Sequence, residues 1–564
     1  MKHFTLLTNK RHILLVLIMM LCSLRVAYAD DSGLVTQQIT VNVPTAGTLS
    51  NIIQSDKMYK ITNLKITGSL NADDIRFIRK MAGCYYNGSG SKYDGHLQYL
   101  DLGSLSQISY VHSFEVYDEN GNRSTLNDCL FPLAYLYNLK TVVLPDLYKD
   151  YNFSLMGCRN LTTAKMPDNL EKIGNNTFKD CSSLVDISLS PTITSIGEYA
   201  FSGCSSLTEI QIPVNVTYIG QYAFYGCSSL KGINVPTDFV NISASTFENC
   251  ANLQYFFNYN YIESIGDRAF AGCSKLSWIA NLLLGTPSIG TYVFENCKSL
   301  KSVRVPENIK TLPLGMFFYC PLSSITLPQN LTSIDDNAFN GCDGLRDISI
   351  PSGVTSIGKG AFKGCSLKEF TLPKQVTEIT DEMFCNCSLQ HIYLHDGLKS
   401  IGNYAFANSA LTEITIPNSV MYIGKNCFSG SYCLEEAVIS SDYIAEIPKE
   451  AFADCNALNI IKLPANLERI GERAFIGTWR LGTKEGLTIP SKVREIGAEA
   501  FYKSLFDAVD IVLPASLTNI YSAFEGSGAR VIHCYMPEPL PLSSFSFGGG
   551  GGSLSNCKLY VPKG

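Results

Sequence analysis

From about residue 135 onward the apolar positions recur in one order, F-x-x-C-x-x-L-x-x-I-x-I-P, followed a few residues later by V-x-x-I-G. Leu207, Ile210 and Ile212 give one instance of the middle run, and Leu230, Ile233 and Val235 the next. The phenylalanines fall at Phe178, Phe201, Phe224, Phe247, Phe270, Phe294, Phe317, Phe339, Phe362, Phe384, Phe406, Phe428, Phe452, Phe475, Phe501 and Phe524, most of them 22 to 24 residues apart. The L-x-x-I-x-I run alternates like a half-buried strand, and the proline after it ends the strand by removing a ladder donor. Each unit reads as a short strand, a turn and a return segment carrying I-G and A-F. A unit this small cannot bury its apolar side alone. The period therefore predicts a parallel stack, each strand with neighbours about 4.8 Å away.

Period and L-x-x-I-x-I pattern together predict a leucine-rich repeat solenoid, a right-handed superhelix or horseshoe of short parallel strands with about 17 units of 22–24 residues. Residues 30–134 lack the period and read as a small α+β N-terminal cap over the open end of the stack. In SLNADDIRFIRKM, Asn71 or Ser69 starts a helix with acids in its first turn and apolar Ile75, Phe77, Ile78 and Met81 following. Leu97, Leu100 and Leu102 supply the first solenoid-like strand. The solenoid is expected over residues 135–535 and an irregular last repeat over 536–564. Within that repeat, FSFGGGGGSLSN reads as a flexible turn, since no phosphate-binding pattern opens a helix after it.

At the other end, Lys2, Lys10 and Arg11, an apolar run from Ile13 to Leu24, and Ala27-Tyr28-Ala29 read as a secretory signal peptide over residues 1–29, cut after Ala29. The run is short for a membrane span, and Leu21 ahead of Cys22 argues against lipid attachment. No transmembrane segment is expected in the mature chain. Cleavage removes four basic and no acidic residues, taking the formal charge from -6 to -10. That balance argues against nucleic acid or an anionic membrane as partner, because both need clustered Lys and Arg. The seven histidines include no H-E-x-x-H pair, and no G-x-S-x-G nucleophile is present, so neither catalysis nor a cofactor is expected.

The recurring cysteine raises its own question. Cys158, Cys181, Cys204, Cys227, Cys250 and Cys273 follow one another at 23-residue steps. A metal site needs three or four ligands converging on a point, whereas these lie one per turn, with Cys385 and Cys387 as the only close pair. Disulfides between rungs meet the Cα spacing, but like-pointing side chains keep Cβ atoms near 4.8 Å, beyond the usual range of about 3.5–4.5 Å. Later units carry Ser409, Ser431, Thr478, Ser504 and Ser527 at the same slot. A slot that accepts serine reads as one chosen for small size, with free cysteine acting as a buried hydrophobe. Scattered disulfides remain an open alternative.

Units such as VTSIGKGAFKGCSLKEFTLP (Val354 to Pro373) and VTYIGQYAFYGCSSLKGINVP (Val216 to Pro236) resemble the BspA-type leucine-rich repeats of exported proteins from host-associated anaerobic bacteria and of some protozoan surface proteins. The resemblance covers roughly residues 135 to 564, and ITGSLNADDIRFIRKMAG and LQYLDLGS are similar to the region that precedes such repeats. It implies an exported or surface-displayed, non-catalytic binding protein that adheres to host matrix or cell-surface proteins. Relatives with a similar LYVPKG ending usually continue further, which leaves open an anchor or sorting segment after Gly564.

The repeat also sorts residues by face. If the apolar positions of L-x-x-I-x-I point inward, residues two, four and six after the leucine point out: Glu209, Gln211, Pro213; Ser324, Thr326, Pro328; Glu369, Thr371, Pro373. Two units depart from this bland set. LQYFFNYN turns out Tyr255, Phe257 and Tyr259, with Trp278 from the next unit beside them, a candidate contact patch for protein or sugar. Asn258 and Asn281 in inward slots leave open a one-residue slip that buries the aromatics instead. LQHIYLH turns out His391, Tyr393 and His395, a polar or pH-sensitive surface whose histidines, about 13 Å apart, do not share a metal. The function expected is protein recognition on the sheet face, with a glycan-binding surface protein or a structural envelope protein as alternatives.

Overall fold

A computed structural model describes residues 33–85, 92–109, 111–149, 152–258, 260–279, 283, 285–504, 510–528, 530–536 and 558–561. The expected signal peptide and the glycine-rich stretch lie outside the described residues. The chain divides into two compact units, residues 1–275 and 276–564.

The first unit opens with strands β1 (Ile39–Val43), β2 (Asn63–Leu70), β3 (Tyr99–Ile108), β4 (Val111–Tyr117), β5 (Arg123–Pro132) and β6 (Thr141–Val143). β1, β2, β3 and β6 are parallel neighbours, in register Ile39↔Leu64, Asn63↔Tyr99 and Tyr99↔Thr141. The same sheet runs on into the repeats through Thr163–Lys165 and Asp186–Ser188. The sheet thus crosses position 134 without a break, and the N-terminal region supplies rungs of the stack itself.

Two insertions hide the period there. One is the helix Ala72–Met81, started by Asn71, whose Oδ1 accepts the N–H groups of Asp73 and Asp74 at 2.9 and 3.3 Å. The Asp74 carboxylate returns the favour to the Asn71 N–H at 3.0 Å, a reciprocal cap that satisfies otherwise orphaned donors. Ile75, Ile78 and Met81 are buried beneath it. The other insertion is the antiparallel hairpin β4–β5. Arg79 of the helix donates to the carbonyls of Pro132 and Ala134 at 2.9 and 2.6 Å and lies 5.5 Å from the Phe114 ring, which ties helix, hairpin and stack together. Glu119 at the hairpin tip pairs with Arg159 of the repeats.

Within the repeats most units make two strands where one was expected. The L-x-x-I-x-I run forms Gly232–Asn234 and Tyr255–Phe257 in the first unit of the chain, and Glu369–Thr371 and His391–Tyr393 in the second. The return segment adds a two-residue strand at each I-G, such as Ser195–Ile196 and Tyr218–Ile219, or Ser333–Ile334 and Ser356–Ile357. Both series pair in parallel at an offset of one repeat.

The A-F-x-x-C segment closes each coil without a strand, yet its backbone is bonded repeat to repeat in the same way. Phe201 N donates to Ala223 O at 2.8 Å, Gly203 N to Tyr225 O at 2.7 Å and Phe224 N to Thr246 O at 2.9 Å. Left-handed residues flank the phenylalanine: Tyr199 (φ 55°) and Gly203 (φ 75°) around Phe201, Asn337 (φ 55°) and Gly341 (φ 75°) around Phe339. The second of these positions takes Gly, Asn or Asp in most units, the residues that adopt this conformation at least cost. The phenylalanines themselves are fully buried and stack face to face, at 5.2 Å for Phe178–Phe201 and 5.4 Å for Phe201–Phe224, and at 5.5 Å for Phe339–Phe362 in the second unit.

Candidate functional site

The strand face follows the expected alternation along most of its length. Glu369 and Thr371 are exposed around buried Phe370, and Glu209 and Gln211 around buried Ile210 in a run that keeps the alternation without forming a strand. The sixth residue after the leucine is where expectation fails, since Pro328 and Pro373 are buried. The strand has ended by then, and the proline opens a turn whose carbonyl accepts the N–H three residues on, Leu331 at 3.2 Å and Val376 at 2.9 Å. Position six belongs to the turn and not to the face.

Strand Tyr255–Phe257 pairs with Gly232–Asn234 as Gly232↔Tyr255, Ile233↔Phe256 and Asn234↔Phe257, so its register does not slip. Phe256, 6% exposed, packs edge-on against Phe247 and Phe270 at 5.7 and 5.5 Å. Tyr255 and Phe257 are 42% and 41% exposed with ring centroids 5.0 Å apart. A Cβ at Gly232 would stand 1.9 Å from Tyr255 Cε2. The absent side chain is what lets the tyrosine ring lie across the preceding strand. Asn258, at the inward slot, leaves its buried Nδ2 without a partner; the irregularity is confined to the strand's end. Tyr259 and Asn281 lie outside the described residues, and Trp278, exposed, belongs to the second unit.

In that second unit Tyr393 is exposed and His391 half-buried on strand His391–Tyr393. His395 is not on the face. It occupies the turn position that Pro373 holds one repeat earlier, its carbonyl accepting Leu398 N at 3.1 Å. Its Nδ1 accepts the Gly397 N–H at 3.0 Å, so Nε2 carries the proton and donates to Val376 O at 3.0 Å. The imidazole closes a turn.

The cysteine slot is filled by free, buried thiols as expected, and it shows one feature beyond that. Along the first unit each ladder thiol donates to a carbonyl one repeat back, Cys158 to Leu133 and Cys181 to Leu155, then Cys204 to Phe178, Cys227 to Phe201, Cys250 to Phe224 and Cys273 to Phe247, all at 3.1 Å. The phenylalanine carbonyl also accepts the N–H of its own unit's cysteine, as Cys204 N does to Phe201 O at 3.1 Å. Ser431 Oγ reaches Phe406 O at 3.0 Å, while Thr478 and Ser504 turn to their own units' phenylalanine carbonyls at 2.6 Å. The slot holds small side chains, as expected, and most of them also donate; Ser527 Oγ is buried without a partner among the described residues, so small size is the common requirement and donation an addition to it. The clue was in the substitutions, which are Ser and Thr and never Ala or Val. Burial pushes the Cys250 thiol up to about 12, which leaves it protonated and unreactive. Among the described residues no disulfide joins two cysteines, no cluster of His, Cys, Asp and Glu could hold a metal, and no helix is long and apolar enough to cross a membrane.

Sequence reasoning missed a second feature, a tyrosine-walled cleft on the A-F-x-x-C side of the first unit. Its signal is the repeated tyrosine in E-Y-A-F and Q-Y-A-F at Tyr199 and Tyr222.

Short parallel strands stacked at one-repeat offset around a ladder of buried phenylalanines define a leucine-rich repeat β-solenoid. The repeats match the family described as BspA type leucine rich repeat region over residues 149–277, 281–389, 377–506 and 483–540. The chain belongs to that family. Among solved structures it is similar to a leucine-rich repeat protein from Bacteroides ovatus, at 23% identity over 80% of this chain and 99% of that one, with a TM-score of 0.37. A leucine rich cell surface protein from Faecalibacterium prausnitzii is also 23% identical, over 73% and 94% of the two chains, with a TM-score of 0.36. A leucine-rich repeat protein from Eubacterium ventriosum is 22% identical over 49% and 83%, with a TM-score of 0.35. No curated protein matches the chain.

Proposed function

We propose that this chain is an exported, non-catalytic binding protein that recognises other proteins with the L-x-x-I-x-I face of its solenoid and adheres to host matrix or cell-surface components. One observation carries the reading: Tyr255 and Phe257 stand exposed and adjacent on a strand whose own core residue, Phe256, is buried. Other strands present small or charged residues such as Ser324, Thr326 and Glu369, with Tyr393 a single exposed ring on its strand. Exposed aromatics on a rigid sheet contribute much contact area at little entropic cost, the character of interface hot spots. Family membership supports the same reading, because leucine-rich repeat solenoids bind through extended surfaces.

The test is an array of matrix proteins and glycans probed with wild type and a Tyr255→Ser/Phe257→Ser double variant. Capture of at least one matrix protein is expected, weakened about tenfold or more in the variant, with the melting temperature nearly unchanged. Undiminished capture by the variant would overturn the assignment of the face, and a large drop in melting temperature would show that the rings hold the fold instead. Capture of glycans alone would favour the glycan-binding alternative.

A further inference from the structure

The A-F-x-x-C side of the first unit holds a cleft of about 450 Å³, within the range of small-ligand sites, about 300–1,000 Å³. Its wall is made by Tyr199 and Tyr222, which take the same position in consecutive repeats, two before the phenylalanine. The left-handed backbone there (φ 55° and 57°) carries both rings into one stack, 4.7 Å apart and 3° from parallel. Tyr225 meets Tyr222 edge-on at 5.9 Å. One face of Tyr222 is covered by Tyr199, but the next residue of the series is Ser245, which has no ring to cover the other. At the floor Gly203 and Gly226 hold the position where the flanking repeats carry Asp180 and Asn249; Asp180 Oδ1 lies 2.5 Å from where a Gly203 Cβ would stand, whereas only backbone lies near that point at Gly226.

The polar groups are as specific as the rings. Glu248, 8% exposed, is held by Arg268, whose Nε and Nη2 donate to its Oε1 at 3.1 and 3.0 Å. At the opposite end Lys179 Nζ lies 5.1 Å from the Tyr199 ring, beside Asp180. Two cations and two carboxylates leave no net charge to select an ion. The backbone is closed to an added strand, since Tyr199 N, Gly203 N, Tyr222 N and Gly226 N already donate to the next repeat at 3.0, 2.7, 3.2 and 2.8 Å. Whatever binds is recognised by side chains alone. It presents a flat C–H face to an aromatic ring and a rim of neutral donors and acceptors to a carboxylate and a guanidinium. Pyranose rings have that build.

We infer that this cleft binds a neutral saccharide, with Tyr222 as the stacking platform and Glu248 and Arg268 as the hydroxyl-binding pair. The site is independent of the protein-binding reading, for neither Tyr255 nor Phe257 lines it.

The test uses the full chain with maltose, cellobiose and lactose as free probes and dextran as a polymer, read by saturation-transfer NMR and calorimetry. At least one probe is expected to bind, and Tyr222→Ala to weaken it about tenfold or more. A second variant guards against misfolding. The nearest atoms to a Cβ at Gly226 belong to Gly203, 3.9 Å away, and Asn249 adopts the same left-handed backbone at the equivalent position with φ 62°. Asn is among the side chains that take this conformation at least cost, so Gly226→Asn fills the cleft at a small backbone cost, and should abolish binding with the melting temperature lowered by no more than a few degrees. The Tyr255→Ser/Phe257→Ser variant should bind saccharide as wild type does. Binding of a free disaccharide assigns the site to free or terminal sugars, and binding of dextran alone assigns it to chain interiors. The inference is overturned if no probe binds, or if Gly226→Asn binds like wild type. Either failure leaves protein capture at Tyr255 and Phe257 untouched.

Discussion

A thiol and a hydroxyl replace one another three residues after the phenylalanine because both fit the space and both donate. Each carbonyl they serve is buried and already accepts a backbone N–H, so the thiol or hydroxyl is a second donor, and a typical hydrogen bond within a protein nets about 0.5–1.5 kcal/mol. Cys227→Ser should therefore lie closer to wild type in stability than Cys227→Ala, by about 1 kcal/mol in urea titration; equal losses would return the slot to size alone. Burial raises the thiols of Cys129, Cys158, Cys250 and Cys387 from 9.0 to about 12. In that window the unfolded chain has lost protons that the folded chain keeps, so stability is fully present below about pH 9 and falls as pH rises. Each such thiol adds about 1.4 kcal/mol per pH unit to the slope. The urea midpoint should fall steeply between pH 9 and 11, and Cys250→Ser should make the fall shallower; a flat profile would contradict the buried donors. The face of each strand residue was legible from alternation alone, as Tyr255, Phe256 and Phe257 illustrate. His395 was misplaced because alternation says nothing of where a strand stops.

Each repeat is built from three edges bonded to the next, of which the sequence advertises one. A two-residue strand such as Ser195–Ile196 is too short to carry an alternation of its own, so the I-G ladder was not legible. The left-handed pair around each phenylalanine was half legible, through the Gly, Asn and Asp at its second member, and illegible at Tyr199 or Tyr222. Lys503 holds that second position at φ 51° and its N–H still donates to Glu525 O at 3.3 Å. The left-handed region costs a side-chain-bearing residue about 1–2 kcal/mol, against about 0.5–1 kcal/mol of added chain entropy for glycine. Lys503→Gly should therefore stabilise the protein by about 0.5 kcal/mol, seen as a small rise in melting temperature, although glycine usually destabilises. A fall would mean that contacts of the lysine, such as its approach to the Tyr502 ring at 5.2 Å, outweigh the backbone.

In a solenoid, stability is approximately a sum of repeat terms and nearest-neighbour terms. Removing residues 340–362, from one phenylalanine of the second unit to the next, joins Phe339 to Lys363 and restores the junction that Phe362 makes. That variant should melt cooperatively within a few degrees of wild type, followed by circular dichroism. Removal of residues 340–351 alone breaks the phase of the ladders at that junction and should split or broaden the transition. The period made this level of organisation the easiest to read; what it concealed was the N-terminal region, where a helix and a hairpin stretch the same parallel rungs beyond recognition. The interchangeable slots have a genetic consequence. Cysteine to serine, and glycine or asparagine to aspartate, are single-base changes, so individual copies can drift apart while still docking on their neighbours. Near-identical copies, in turn, invite unequal recombination, and each event would add or drop a whole turn. The length of the strand face can thus change between one generation and the next with no new contact to invent.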